Sequence, residues 1–150
     1  HNTAEIMGHP GTATSVFDDV VDFAKAIGMI TLPLYKEQPG YILNSLLVPL
    51  LGAATNLLVN GVSDVETIDK TWMVATGAPV GPFGILDVVG ITTAYNINKM
   101  AADKTHDPIK IKTVEFLKEN FIDKGKLGVA TGEGFYKYPN PVYKDKDFLK

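Results

Sequence analysis

Two polar side chains stand in apolar surroundings where they could take part in chemistry. Glu5 lies within the otherwise apolar run Thr3–Met7, and Asn44 lies one turn into a long apolar segment that follows Pro39 and Gly40. A carboxylate can exchange a proton or orient a protonated partner, and an amide can hold a polar group without titrating. Both also have ordinary structural explanations: Glu5 as a solvent-facing strand residue, and Asn44 as a buried amide bonded to a neighbouring carbonyl.

The other residues that often carry chemistry form no recognisable site. The three histidines are His1, His9 and His106, and no two of them have the spacing of metal ligands, so we expect no metal. The glycine-rich stretch of residues 128–134 has no strand before it and no helix after it, which predicts a turn rather than a phosphate-binding loop. The sequence has neither a G-x-S-x-G motif nor a Ser-His-Asp arrangement.

The elements that position Glu5 begin with a β-α-β pattern. Thr3–Met7 predicts a strand, and the glycine and proline cluster of residues 8–12 predicts a turn. Ser15, with Asp18 three residues later, predicts the cap of an amphipathic helix that runs to Gly28. The run from residue 30 to residue 35 predicts a second strand, placed at an edge or bent because it contains a proline.

After Gly40 the periodicity predicts helices. The first predicted helix is Tyr41–Asn60, and the second is opened by a Ser63–Glu66 capping box, with Val65, Ile68, Trp72 and Ala75 facing inward. The third is Pro82–Val88, and the fourth runs from Thr92 or Thr93 to Asp103. The last runs from Asp107–Pro108 to about Gly125, with Ile111, Val114, Leu117 and Phe121 on one face.

The first of these helices carries no charge. Residues 38–63 contain no Asp, Glu, Lys, Arg or His, and residues 41–59 are long enough to cross a bilayer. Against a membrane span, the segment contains several polar residues and Pro49, and it lacks flanking basic residues. We therefore expect this helix to be covered by its own domain or by a second subunit, with no membrane partner.

Composition limits the possible partners and compartment. The chain has 150 residues, a formal net charge of -3, no cysteine, and lysine as its only basic residue type apart from histidine. The absence of arginine argues against a nucleic-acid partner. The absence of cysteine excludes disulfides and thiolate chemistry and fits a cytoplasmic location.

The order of elements predicts two different domains. Two parallel strands are not a stable sheet by themselves, so residues 1–37 are expected to be the end of an α/β domain. Residues 38–150 are expected to form a helical domain. The fold class is therefore mainly α, preceded by a remnant β-α-β unit.

Several motifs in order resemble the 3-hydroxyacyl-CoA dehydrogenase family, including its bacterial 3-hydroxybutyryl-CoA dehydrogenases. They are Pro39-Gly40-Tyr41-Ile42-Leu43-Asn44-Ser45-Leu46-Leu47-Val48-Pro49, the segment Ser63–Asp69, the segment Gly77–Gly90 and Thr131-Gly132-Glu133-Gly134-Phe135-Tyr136-Lys137-Tyr138. The resemblance implies that residues 1–37 end an NAD-binding Rossmann domain. It also implies that residues 38–150 are a substrate and dimerisation domain of the 6-phosphogluconate dehydrogenase C-terminal-like fold.

The resemblance also implies roles for Glu5 and Asn44. In the family a histidine base takes the proton of the 3-hydroxyl as hydride passes to NAD, a glutamate pairs with that histidine, and an asparagine bonds at the reacting centre. Glu5 and Asn44 fall on the last two positions. Ser45 stands where many members have Arg, and Ala130 stands where many have a Lys that reaches the cofactor, so no cofactor-binding residue is assigned.

The base and the dinucleotide fingerprint would both precede residue 1. The expected function is therefore the C-terminal portion of an NAD-dependent L-3-hydroxyacyl-CoA dehydrogenase that acts on acyl-CoA in fatty acid metabolism, inactive alone. The alternative is the dimerisation or interaction domain of a related dehydrogenase that acts on a non-CoA hydroxy acid. The resemblance and the charge-free helix together predict a homodimer.

Overall fold

The computed structural model describes residues 2–150, so the predictions made for His1 lie outside the described residues. Within this range two strands and six α-helices follow one another: β1 (Thr3–Met7), α1 (Thr14–Ala26), β2 (Ile30–Leu34), α2 (Tyr41–Val59), α3 (Val65–Thr76), α4 (Pro82–Val89), α5 (Ile91–Thr105) and α6 (Pro108–Asn120). Short 3-10 turns follow at Ile122–Lys124, Val129–Thr131 and Val142–Lys144. The prediction of a mainly helical chain preceded by a β-α-β unit is confirmed.

Strands β1 and β2 pair in parallel. Thr3 lies opposite Ile30 and Met7 opposite Leu34, so Glu5 occupies the middle of the ladder. Helix α1 packs on this pair and buries Ala24. The capping role predicted for Ser15 is wrong, because the N-cap is Ala13, two residues earlier, and its side chain makes no capping bond.

Helix α2 is buried unevenly along its length. Its later residues Leu51, Ala54, Thr55 and Val59 are buried, whereas earlier apolar side chains such as Leu46 remain exposed. By length and composition α2 is long and apolar enough to cross a membrane, with a mean hydropathy of 1.8. Of its most apolar 18-residue stretch, 22% is buried inside the described chain. The helix is therefore apolar all round, as predicted, but the described chain covers only part of it.

Helices α3 to α6 enclose a core of fully buried side chains that includes Phe83, Ile91 and Leu117. The ring of Phe135, from the segment after α6, packs against the rings of Phe83 and Phe121 at centroid distances of 4.7 and 4.4 Å. The last segment of the chain is thereby part of the core.

Two predicted inward faces need correction. On α3 the buried side chains are Asp69 and Met73, while Ala75 is exposed. On α6 the buried residues are Thr113 and Leu117, and Ile111 is 41% exposed. In both helices the buried stripe includes a polar side chain, which a prediction from apolar residues alone passes over.

The capping predictions divide. The Ser63–Glu66 box is wrong, because Asp64 is the N-cap of α3 and its Oδ1 accepts from the N–H of Thr67 at 2.8 Å. The predicted start of α6 at Asp107 and Pro108 is confirmed, and Asp107 is its N-cap, accepting from the N–H of Ile109 at 2.9 Å.

The chain separates into two compact units, the first ending at Pro49 and the second running from Leu50 to Lys150. The predicted domain boundary between residues 37 and 38 stays a prediction. The packing boundary falls later, inside α2, because the first turn of that helix bonds to β1, as described next.

Candidate functional site

Glu5 reaches from β1 to the start of α2. The backbone N–H groups of Ile42 and Leu43 both donate to its Oε1, at N···O distances of 2.7 and 3.0 Å. The side chain is half-buried, and its Oε2 has no hydrogen-bond partner among residues 2–150. The explanation of Glu5 as a solvent-facing strand residue is therefore wrong.

The chain enters α2 through two left-handed residues. Gly40 has φ +85° and Tyr41 has φ +57°, an uncommon conformation for a residue with a large side chain. Ser45 donates its hydroxyl to the Tyr41 carbonyl, and the side-chain amide of Gln38 donates to Ser45 Oγ at 3.1 Å. Serine at this position thus makes local contacts that hold the entry to the helix.

Asn44 follows directly after the amides that Glu5 binds. It is exposed, and its side-chain amide makes no hydrogen bond within the described part of the chain. The explanation of Asn44 as a buried amide bonded to a carbonyl is therefore wrong as well. The structure thus places the Glu5 carboxylate at the first turn of α2, the turn that carries the exposed Asn44 side chain.

The turn between β1 and α1 does not fit a dinucleotide. The N–H of His9 donates to Thr12 Oγ1 at 3.1 Å, and the N–H of Gly11 donates to His9 Nδ1 at 3.1 Å. These amides are already paired, whereas a phosphate-binding turn presents free N–H groups to the ligand. The N–H groups of His9 and Gly11 are therefore not presented to a phosphate.

The other histidine within the described residues has a structural position. His106 has φ +53° and ends α5, where its N–H donates to the Ala102 carbonyl. No group of three or more His, Cys, Asp or Glu in residues 2–150 is placed to hold a metal ion.

Two buried carboxylates escaped the sequence analysis. Asp69 is fully buried and accepts from the N–H groups of Phe83 and Gly84, at 2.8 and 3.0 Å, and from the Tyr136 hydroxyl at 3.0 Å. It therefore caps α4 from outside that helix. The signal was an acidic residue on the buried stripe of α3, but its partners lie up to 67 residues away.

Asp87 holds the segment that follows α6. It is 1% exposed and accepts from the N–H groups of Phe135 and Tyr136, at 2.8 and 2.9 Å, and from the Tyr138 hydroxyl at 2.9 Å. Burial raises the pKa of Asp69 and of Asp87, and the donated N–H groups oppose this shift. Burial likewise raises the pKa values of the two tyrosines well above their usual range, so both remain hydroxyl donors.

Two glycines of the glycine-rich stretch, Gly128 and Gly134, pass so close to Asp87 that a side chain would not fit. A Cβ on Gly134 would lie 2.0 Å from Asp87 Oδ1, and one on Gly128 would lie 2.3 Å from the Asp87 carbonyl oxygen. Isolated antiparallel bridges join Glu133 to Gly128 and to Lys137. The predicted turn is confirmed, and the carboxylates beneath it are structural because every approach to them is filled.

Comparison with known proteins adds the family context. The sequence profile described as "3-hydroxyacyl-CoA dehydrogenase, C-terminal domain" matches residues 40–138. The human mitochondrial hydroxyacyl-coenzyme A dehydrogenase is 36% identical over 135 residues, which cover 89% of this chain and 42% of the relative. The chain thus spans under half the length of such curated relatives.

Two solved structures are similar in fold and sequence. A diketoreductase, described as acting in substrate-directed dual catalysis of dicarbonyl compounds, is 59% identical, with a TM-score of 0.84 over 91% of this chain and 47% of that protein. The (S)-3-hydroxybutyryl-CoA dehydrogenase of Ralstonia eutropha is 25% identical, with a TM-score of 0.73 over 92% of this chain and 48% of that one.

Proposed function

Because the chain belongs to the 3-hydroxyacyl-CoA dehydrogenase family, we propose that it is the C-terminal portion of an NAD-dependent oxidoreductase that interconverts 3-hydroxyacyl-CoA and 3-oxoacyl-CoA. The observation that carries the proposal is the meeting of Glu5 with the first turn of α2, directly before Asn44. The remaining catalytic groups are expected from residues outside this chain.

Each of the two residues has a part that suits this reaction. Glu5 Oε2, which has no partner among residues 2–150, is placed to accept from an imidazole, and a carboxylate there favours the protonated form of a histidine base and fixes its orientation. The exposed amide of Asn44 bonds at the reacting carbon's oxygen without adding charge. NAD, when bound elsewhere in the complete protein, supplies the hydride acceptor.

The diketoreductase gives a specific reason to keep a second substrate class. A 3-oxoacyl thioester is itself a 1,3-dicarbonyl compound, so the same hydroxyl-to-ketone chemistry suits a dicarbonyl compound without CoA. Like the non-CoA hydroxy acid expected as the alternative, such a substrate carries no CoA. The two candidates differ only in what surrounds the second carbonyl.

One assay separates these candidates. The complete polypeptide that carries this chain is given NADH with acetoacetyl-CoA, and in parallel NADH with a 1,3-dicarbonyl compound that lacks CoA. We expect NADH oxidation with the thioester at the higher kcat/KM. Turnover of the dicarbonyl compound without CoA and none of the thioester would reject the CoA assignment, and no turnover of either would reject the oxidoreductase.

By themselves, residues 1–150 are expected to be catalytically silent and to bind no NADH. The physical reason is that the expected histidine base and phosphate-binding loop are not among these residues, and the N–H groups of His9 and Gly11 in the β1–α1 turn are already paired. Calorimetric titration of the 150-residue chain with NADH checks this expectation. Saturable binding in the micromolar range would contradict it.

The same proposal includes a homodimer formed through the helical domain, with no nucleic-acid partner, no membrane partner and a cytoplasmic location. Exposed apolar residues on α2 and the absence of arginine and cysteine support it. The test of the dimer is given at the scale of the whole molecule below.

A further inference from the structure

Helix α2 begins without a cap of its own. Its first turn contains no acidic residue, and the two residues that lead into it, Gly40 and Tyr41, have left-handed φ values. The first N–H groups of a helix have no partner inside the helix and need an acceptor from elsewhere. The start of α2 has no charged side chain, and the residues just before it provide no capping side chain, so the acceptor must come from another element.

Glu5 supplies that acceptor from β1. Its Oε1 binds the N–H groups of Ile42 and Leu43, which lie 37 and 38 residues further along the chain. A carboxylate at this position also meets the positive end of the helix dipole. One oxygen atom therefore satisfies two backbone donors and fixes where the helix starts.

We propose that Glu5 is a positioning residue for Asn44, because its Oε1 fixes the turn of α2 that presents the Asn44 side chain. Asn44 is the next residue after the second bonded amide, and it makes no side-chain bond that would hold it otherwise among residues 2–150. This inference rests on the proposed function for its catalytic consequence, but its structural part does not.

The two oxygens of Glu5 then have separate tasks. Oε1 belongs to the backbone of α2, and Oε2 is left for a donor at the reacting centre. A residue that only paired with a histidine base would not affect the amides of α2. This difference makes the positioning role measurable without turnover.

The first measurement is hydrogen exchange in the complete polypeptide that carries this chain. Glu5→Ala is expected to raise the exchange rates of the Ile42 and Leu43 amides about tenfold, as for the loss of a charge-assisted hydrogen bond. Glu37→Ala is the matched control, since Glu37 is exposed in the same compact unit and bonds to neither amide. Unchanged exchange at both amides in a folded Glu5→Ala protein would overturn the proposal.

A second variant keeps the test decisive if Glu5→Ala does not fold. Glu5→Gln has an acceptor oxygen of the same reach but no charge, so the hydrogen bonds persist in a weaker form. We expect the amide chemical shifts of Ile42 and Leu43 to move more than any others in α2, and not to move in Glu37→Gln. Equal movement in the two variants would refute the contact.

The catalytic consequence is read from a double-mutant cycle. If Glu5→Ala displaces the Asn44 side chain, the further substitution Asn44→Ala should lower kcat less in the Glu5→Ala background than in the wild type. In the Glu5→Gln background, Asn44→Ala should lower kcat as much as it does in the wild type. If Asn44→Ala lowers kcat by the same factor in the wild type and in both Glu5 backgrounds, the positioning role of Glu5 is rejected. If no substrate turns over, the proposed function fails, and the exchange measurement still decides the structural part.

Discussion

Asp87 and Gly134 occupy adjoining space, so neither can change alone. The carboxylate of Asp87 takes three donors from the segment after α6, and the backbone of Gly134 passes where a side chain would touch it. A buried charge with all its donors in place is tolerated, whereas a buried charge that loses donors is strongly destabilising.

Gly134→Ala is expected to lower the free energy of unfolding by more than about 3 kcal/mol, because its Cβ would overlap an oxygen that cannot move away. Denaturant unfolding measures the change. Gly132→Ala is the control: Gly132 has φ +79° but nothing within 4 Å of the added carbon. Gly132→Ala should therefore lower the free energy of unfolding only by the strain of a left-handed alanine, about 1 kcal/mol. Equal losses in the two variants would contradict the close approach.

Asn44→Ala is expected to lower kcat in the complete protein roughly 10²-fold, the usual cost of removing an oriented donor at a reacting centre. Asn60→Ala serves as the comparison, since Asn60 is an exposed amide just after the opposite end of α2. Initial rates at saturating substrate provide the measurement. A kcat within twofold of the wild type for Asn44→Ala would remove this residue from the site.

The limits of sequence reasoning lie at this residue scale. Glu5 and Asn44 were identifiable because each interrupts an apolar run. The roles of Asp69 and Asp87 were not, because their donors come from segments 14 to 51 residues away and, for Tyr136, 67 residues away. Local patterns carry no information about partners at such separations.

At the scale of elements, periodicity predicted the helices and strands to within a few residues, but it did not predict which residue caps each helix. Ser63 and Asp64 are both good cap residues and are adjacent, so only the backbone at the start of α3 decides between them. The buried stripes of α3 and α6 were displaced for a related reason. Each includes a polar residue that finds its place through tertiary packing.

Asp64→Ala should destabilise the protein at neutral pH, while Ser63→Ala should leave the unfolding midpoint almost unchanged. The N–H and the hydroxyl of Thr67 lower the pKa of Asp64 below its ordinary value of 3.8. A lowered folded-state pKa means that this stabilisation is present above that ordinary value and is lost as the pH falls through the lowered one.

Thermal unfolding of the wild type and Asp64→Ala from neutral to strongly acidic pH checks this expectation. The gap between their midpoints should close at the acid end. A gap that stays constant with pH, or a larger effect from Ser63→Ala, would assign the cap to another group.

At the scale of the whole molecule, the helical unit exposes an apolar surface. An apolar groove of about 470 Å³ lies between the later half of α2 and α3, lined by residues that include Leu50, Leu57 and Ile68. A patch of this kind on a chain of 150 residues fits a second copy related by a two-fold axis.

Leu57→Asp is therefore expected to convert a dimer to a monomer, because it places an unpaired charge in the interface. Leu57 is 42% exposed, so the change is tolerable within one chain, unlike a change at the buried Leu51. Met100→Asp, at a side chain on α5 that is 73% exposed, is the control and should remain dimeric. Light-scattering mass is the measurement.

A wild-type protein that is already monomeric would reject the dimer. Flotation of that protein with vesicles would instead assign the exposed face of α2 to a membrane.

The separation in sequence between Asp87 and its donors also determines when their hydrogen bonds can form during protein synthesis. A ribosome that adds 5–20 residues per second needs about 2.5–10 s to travel from residue 87 to residue 138. During that interval the Asp87 carboxylate lacks its three donors and the aromatic core lacks Phe135. The helical unit therefore cannot complete its core until the segment that carries Phe135 and Tyr138 has been synthesised.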